Sequence, residues 1–339
     1  AFAPPQASHL STSLSVKYGP NEGASAEDCL CCDPLLSPRD ARVATPLATL
    51  LGANLVLPEA AFAAKKPFEC AVQKYFPKAM PSSEVEKLVK NELQSSKSYS
   101  VKNTLFGTSV CPDEINTKPG ASLATNLQKS LSKQNGIFAL GGLAGLPFAG
   151  VSGMKAFLSH APAKGKVVIF FGPHVGVSKE GVVGKVERLG LKKLSTSCGA
   201  AIGAYKAIIS GAEDPNNGFR DYQEDYIIAN LRPKLAKAEG VSEDAMPAFV
   251  TKSTYYLVLD MLMDELNTVW SGDKFWDKIS EVTLVGGILI NRGQDLESKK
   301  EEDYFQPLVF ESWSKACGCG PPAESVDLFE QAFGFESTA

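Results

Sequence analysis

Cys111, His174 and Cys198 are the residues of this sequence whose types could do chemistry together. Two thiolates and one imidazole suit zinc, and three protein ligands leave one tetrahedral position for solvent, as a catalytic zinc site requires. A structural site would normally close with a fourth Cys or His. His160 is a candidate for that fourth ligand, but Ser159-His160-Ala161-Pro162 reads as a helix end, where a cationic side chain is favourable without any metal. Sixty-two residues separate Cys111 from His174 and 23 separate His174 from Cys198, so no short ligand pair nucleates the site. A lone buried cysteine is more often a small apolar filler than a ligand. The zinc reading therefore depends on whether the elements carrying the three residues converge.

Those elements are readable. Thr104 to Val110 has strand character and stops at Cys111-Pro112-Asp113-Glu114, where a proline and two acids suit the first turn of a helix. Lys166 to Phe171 is a continuous apolar run, the pattern of a strand buried on both faces of a parallel sheet, and it ends at Gly172-Pro173-His174. Thr196-Ser197-Cys198-Gly199 opens a small-residue helix from Ala200 to Ser210, with Ser or Thr available as a cap. Ser82-Ser83-Glu84, followed by Val85, Leu88, Val89 and Leu93, predicts a capped amphipathic helix. Longer helices are predicted over 220–239 and 246–270, a buried strand over 282–290 and an edge strand over 307–310. Strands alternating with helices predict an α/β fold whose ligands sit at the carboxyl ends of the strands, which places Cys111 and His174 at comparable strand ends and Cys198 at a loop-to-helix junction.

Three segments, Cys111-Pro112-Asp113-Glu114-Ile115-Asn116, Phe171-Gly172-Pro173-His174-Val175-Gly176 and Thr196-Ser197-Cys198-Gly199-Ala200-Ala201, together resemble the limiting-CO2-inducible B (LCIB) family and its theta-class carbonic anhydrase relatives. The Gly-rich run from Gly136 to Phe148 shares the likeness, which extends over much of residues 80–315. The resemblance implies a beta-carbonic-anhydrase-like α/β fold with a mostly parallel central sheet flanked by helices. It further implies Zn2+ held by Cys111, His174 and Cys198, a catalytic Asp113 beside the open position, CO2 and bicarbonate as substrates, and a homodimer. The expected reaction is reversible hydration of CO2 by zinc-bound hydroxide. The beta-class motif Cys-x-Asp-x-Arg has Ile115 at its arginine position here, so the arginine that keeps Asp113 off the metal must come from elsewhere: Arg188, Arg220, Arg232 or Arg292. That departure keeps open a noncatalytic relative acting as an assembly partner or inorganic-carbon sensor. Leu143, Leu146, Pro147 and Phe148 are candidate walls for an apolar CO2 pouch, or ordinary core. Glu114 and Asn116 are candidates for proton relay or water positioning, against plain roles in a first helical turn.

The chain's 339 residues are 44% hydrophobic and carry a formal charge of −4, with 34 basic against 38 acidic residues. That balance supplies no cationic excess to neutralise phosphates or an anionic membrane, which argues against nucleic acid as a partner. Residues 1–63 read as a targeting region. Ala1-Phe2-Ala3-Pro4 resembles the cleavage motif of presequences for complex algal plastids. Arg39 and Arg42, the apolar stretch Leu47 to Leu57, and Ala61 and Ala63 at cleavage positions then have the order of an export signal. Together they point to the chloroplast and its thylakoid lumen. The alternative for 47–57 is a short buried helix; the stretch is too short to span a bilayer, and no integral span is expected in the mature protein. Residues 64–339 are expected to form a single domain. Cys29, Cys31 and Cys32 would leave with the targeting region; if retained, they are a candidate metal or redox cluster. Cys317 and Cys319 could bind metal or pair with thiols such as Cys70, or be two unconnected terminal thiols.

Overall fold

Successive side chains of a strand face opposite sides of its sheet, and Val167 to Phe171 show what that demands here. Val167, Ile169 and Phe171 enter one hydrophobic cluster, Val168 and Phe170 another, and all five are fully buried. A strand with apolar partners on both faces cannot alternate with polar residues; it must lie between two layers of helices. The structure, a computed structural model, describes residues 66–117, 122–211, 221–271, 275–293, 302–315 and 323–337 and has that layered form. The targeting region, Arg220, Cys317 and Cys319 lie outside the described residues.

In chain order, α1 (Pro67–Tyr75), β1 (Met80–Pro81) and α2 (Ser82–Ser95) lead to β2 (Thr104–Val110). A 3-10 turn (Glu114–Thr117), α3 (Leu123–Leu131), β3 (Phe138–Ala139), a second 3-10 turn (Leu143–Gly145) and α4 (Gly150–Ser159) follow. Next come β4 (Gly165–Gly172), β5 (His174–Val177), β6 (Lys185–Val186), β7 (Ser195–Thr196), α5 (Gly199–Ile209), α6 (Tyr222–Leu235) and α7 (Met246–Trp270). The C-terminal part contains α8 (Phe275–Lys278), β8 (Ile279–Arg292), β9 (Tyr304–Lys315), β10 (Ala323–Asp327) and α9 (Phe329–Phe333).

The main sheet has eight strands along the order β1-β9-β8-β4-β2-β3, with β10 also paired to β9 and β5 to β8. β2 is parallel to β3 and β4, and β8 is parallel to β4 and β5. β9 runs antiparallel to β8. One face is covered by α1, α4, α5, α6 and α7, through Phe68, Phe157, Ala204, Leu231 and Tyr255 among others. The other is covered by α2, α3 and α9, through Val89, Leu127 and Phe329. The helices start where their sequences allow. Ser122 accepts a hydrogen bond from Thr125 N, and Asp221 accepts one from Glu224 N, each relieving an unpaired amide of the first turn.

Two expectations change. The helix expected over 220–239 is shorter, Tyr222–Leu235, with Asp221 capping its start and Ala236 closing its end. The strand expected over 307–310 is longer, β9 spanning 12 residues, but those four residues do lie at an edge: they pair with β8 alone, since β1 reaches only Tyr304 and Phe305 and β10 only Glu311 to Lys315. Pro307 suggested an edge because it cannot donate to a ladder. It lies in that one-sided stretch, opposite Gly287, where the β8–β9 register shifts between Gly286 and Gly287.

Candidate metal centre

Cys111 directly follows β2, and His174 opens β5 after the chain steps out of β4. The step is made at Gly172, whose φ is +149 and whose missing Cβ would lie 1.8 Å from Gly287 O. No residue with a side chain fits there. Beyond the step, β5 rejoins β8 with His174 opposite Leu289, so the sheet holds the imidazole at its carboxyl end beside Cys111. Cys198 occupies the N-cap position of α5. The Gly-rich run packs against the same region: a Cβ on Gly141 would lie 2.6 Å from the backbone of Val110, the residue before Cys111.

The three groups converge. One ligand atom from each of Cys111, His174 and Cys198 lies within 4.8 Å of the others, and all three residues are buried. The two sulfurs are 3.9 Å apart, too far for a disulfide. Two sulfurs bound tetrahedrally at 2.3 Å from zinc would stand ~3.8 Å apart. His174 Nε2 is buried and has no hydrogen-bond partner among the described residues. A buried, unpaired ring nitrogen facing two buried sulfurs is the donor set a soft-to-borderline divalent cation completes, so the group could hold a metal ion. His160 is not part of it: it is exposed at the end of α4, edge-on to the Phe138 ring.

The thiols are electrostatically unequal. The contact with Cys111 depresses the Cys198 thiol, against the opposing effect of burial and with help from the amides of Ala201 and Ala200 at the start of α5. The same contact, with burial, raises Cys111. Burial works against a charged His174, yet Cys111, Asp113 and Asn291 outweigh it and raise that group. One thiol is thus favoured as thiolate and the other as thiol, and a cation binding here would displace the remaining protons.

Asp113 stands over the cluster, with Oδ2 3.7 Å from His174 Nε2. Arg188 donates to both of its oxygens, from Nη1 to Oδ1 at 2.9 Å and from Nη2 to Oδ2 at 2.8 Å. Burial opposes ionisation of Asp113, but the guanidinium fork overcomes it and holds the carboxyl well below the usual carboxylate range. Arg188 also contacts Glu114 and donates from Nε to Ser195 Oγ at 3.1 Å. Of the candidate arginines among the described residues, then, Arg188 is the one on Asp113. Arg292 pairs with Glu69 at 2.7 Å and lies over the Phe68 ring.

Asn116 and Asn291 form a buried amide chain behind the cluster. Asn116 Nδ2 donates to Cys111 O at 3.0 Å, Asn291 Nδ2 to Asn116 Oδ1 at 3.2 Å, and Asn291 Oδ1 lies 2.8 Å from His174 Nδ1. Neither proton relay nor simple capping describes Asn116. Asn291 carried no sequence signal beyond being the first polar residue after the apolar run that ends at Ile290. Among the pouch candidates, Leu146 is fully buried in the cluster that includes Cys111 and Cys198, and Leu143 and Phe148 pack against it. Among the described residues, no helix is long and apolar enough to cross a membrane.

Residues 79–314 match the family described as limiting CO2-inducible proteins B/C beta carbonic anhydrases. Comparison with curated proteins gave no match. Among solved structures, PtLCIB4, a homolog of the limiting CO2-inducible protein LCIB, is 32% identical over 77% of this chain and 99% of its own, with a TM-score of 0.64. A histidine-to-alanine mutant of PtLCIB4 gives 31% identity, coverage of 73% and 95%, and a TM-score of 0.62. LCIB itself, at 19% identity, 70% and 92% coverage and a TM-score of 0.52, shares the fold. With the match spanning both β2 and β9 and every residue of the buried Cys-His-Cys cluster inside it, this chain belongs to the LCIB family of beta-carbonic-anhydrase-like proteins.

Proposed function

We propose that this protein is a zinc-dependent carbonic anhydrase that interconverts CO2 and bicarbonate, with Cys111, His174 and Cys198 holding the metal. The observation that carries the reading is the pairing of an unpartnered His174 Nε2, facing two buried sulfurs, with an Asp113 carboxylate clamped by Arg188 above it. Zinc bound in such a site supplies a hydroxide nucleophile near neutral pH by lowering the pKa of coordinated water to about 7. Two thiolate ligands offset its charge and make it a weaker acid, so the surrounding residues matter more than in a three-histidine site.

Asp113, ionised through Arg188, is placed to accept a hydrogen bond and would so orient a nucleophile supplied by a metal held at Cys111, His174 and Cys198. The fork of Arg188 engages both carboxylate oxygens, which keeps Asp113 from turning onto the metal. The apolar side chain of Ile115 offers no donor for this, but its backbone N–H donates to Asp113 Oδ1 at 3.2 Å and adds to the hold on the carboxylate. Leu146 and its neighbours present apolar surface suited to a small uncharged substrate. Asp113 and Arg188 are each 15% exposed at the side chain, so the polar dyad faces the way out, where bicarbonate and the released proton leave.

In a stopped-flow assay the zinc-loaded full chain should release protons from dissolved CO2 at least about 100-fold faster than its Cys111→Ser variant. Equal rates at full metal occupancy would instead identify a noncatalytic zinc protein of the same fold. Family likeness supports a homodimer, which light scattering on the loaded chain would read. The pattern of residues 1–63 supports delivery to a complex plastid and its thylakoid lumen, where the enzyme would supply CO2 for fixation. A tagged chain found in the stroma with residues 43–63 retained would refute that location and leave the enzyme reading intact.

A further inference from the structure

The amide chain behind the cluster determines which nitrogen of His174 is available. Asp303 accepts from Arg292 N at 2.8 Å through Oδ1, and its Oδ2 faces Asn291 Nδ2 at 3.4 Å. A carboxylate accepts and does not donate, so Asn291 must turn its NH2 toward Asp303 and Asn116 and its carbonyl toward His174. That carbonyl, 2.8 Å from Nδ1, can be satisfied only by an Nδ1–H. The neutral ring then carries its lone pair on Nε2, the atom that faces the sulfurs without a partner. Ser197 Oγ, 3.3 Å from Nδ1, is a longer and reversible contact that accepts or donates equally well and so fixes nothing alone. All four members of the chain are buried: His174 is 0%, Asn291 1%, Asn116 5% and Asp303 8% exposed.

Resting on the metal-centre reading above, we infer that Asn291 is a positioning residue that fixes His174 as its Nδ1–H tautomer, with Asp303 setting the direction of the amide. Asn116 extends the clamp to Cys111 through the backbone carbonyl, so one pair of amides orients two members of the cluster held on different strands. A small cavity lies behind the pair, bounded on one side by apolar residues such as Leu123 and Leu289 and on the other by Asn116, Asn291 and Asp303, with room for about one water. A shortened side chain at position 291 is therefore replaced by solvent without collapse. Water donates as readily as it accepts, so the space would be filled and the tautomer no longer fixed.

The test uses the full chain, zinc competition against a chromophoric chelator, and 15N NMR of the loaded protein. Wild type should show His174 protonated at Nδ1 and metallated at Nε2. Asn291→Ala should bind zinc about 10- to 100-fold more weakly. The exchanged pair Asn291→Asp with Asp303→Asn, which keeps an acceptor opposite Nδ1 and a donor between the two positions, should stay within about threefold of wild type. Asp303→Asn touches no metal-ligating residue, yet by freeing the amide to turn over it should weaken zinc about tenfold. Metallation at Nδ1, an Asn291→Ala variant as tight as wild type, or equal weakening by Asn291→Ala and the exchanged pair would each overturn the inference. If Asn291→Ala fails to fold, Asp303→Asn and the exchanged pair decide alone, with unchanged zinc affinity in Asp303→Asn counting against the clamp. A wild-type chain that takes up no zinc refutes the metal centre itself and this inference with it.

Discussion

Arg188 and Asp113 are 75 positions apart in the chain and meet through two parallel N–H to oxygen bonds, a geometry only a guanidinium makes. Lysine offers one point charge and cannot block both oxygens. Arg188→Gln should therefore retain zinc but lose CO2 hydration by roughly 10- to 100-fold, with Arg188→Lys in between. The reason is specific: an unclamped Asp113 swings onto the metal. In cobalt-substituted protein the visible spectrum of Arg188→Gln should change, and adding Asp113→Asn should return it toward wild type. An unchanged spectrum would mean that Arg188 serves only the charge of Asp113. Cys111, His174 and Cys198 were legible because each stands where a readable strand ends or a readable helix begins. Arg188 was legible only as one of four, because it lies on an irregular segment after β6 whose path no periodicity reveals. Asn291 and Asp303 were not legible at all: their roles come from pairing across the sheet, and nothing in the local sequence distinguishes them from other polar residues at strand ends.

At the scale of elements, the two-residue step between β4 and β5 is what brings His174 to the cluster. β4 pairs with β8 as far as Phe171 opposite Gly286, and β5 resumes with His174 opposite Leu289. Leu289 N donates to Pro173 O at 3.0 Å across the step. Gly172→Ala should cost more than about 3 kcal/mol, since the methyl would overlap Gly287 O and the backbone cannot relax without breaking the β4–β8 ladder. Equilibrium urea unfolding measures this, and a loss below about 1 kcal/mol would show that the step is pliable. β4 and α7 were readable because each is long and strongly apolar; α7 has the bounds Met246–Trp270 that its pattern after Pro247 gave. The two-residue strands β1, β3, β6 and β7 carry too few residues for any period, and β9 was read too short because its proline and bulge interrupt the pattern that runs from Tyr304 to Lys315. Element existence was written in burial, while pairing across the sheet was written in contacts distant along the chain.

Across the whole molecule, the helical layer over the metal-centre face contains one carboxylate with no visible compensation. Glu265 of α7 is 5% exposed, and neither oxygen has a hydrogen-bond partner among the described residues. Burial raises its pKa from 4.5 to about 7. Because the folded pKa is the higher one, the folded state binds more protons than the unfolded state between pH 4.5 and 7, and stability must fall as pH rises through that window. Below it both states are protonated and the group costs little; above it the whole difference is lost, roughly 3 kcal/mol. Glu265→Met keeps length and helix propensity and removes the titration. Its advantage in melting temperature over wild type should be small near pH 5 and grow to several degrees by about pH 8, measured by circular dichroism on the full chain. Comparing the two proteins at each pH cancels every other titrating group. An advantage that stays constant across that range would mean that Glu265 finds a partner in solution. The layer would then bear no cost for the charge, and the pH dependence of the fold would have to be sought elsewhere.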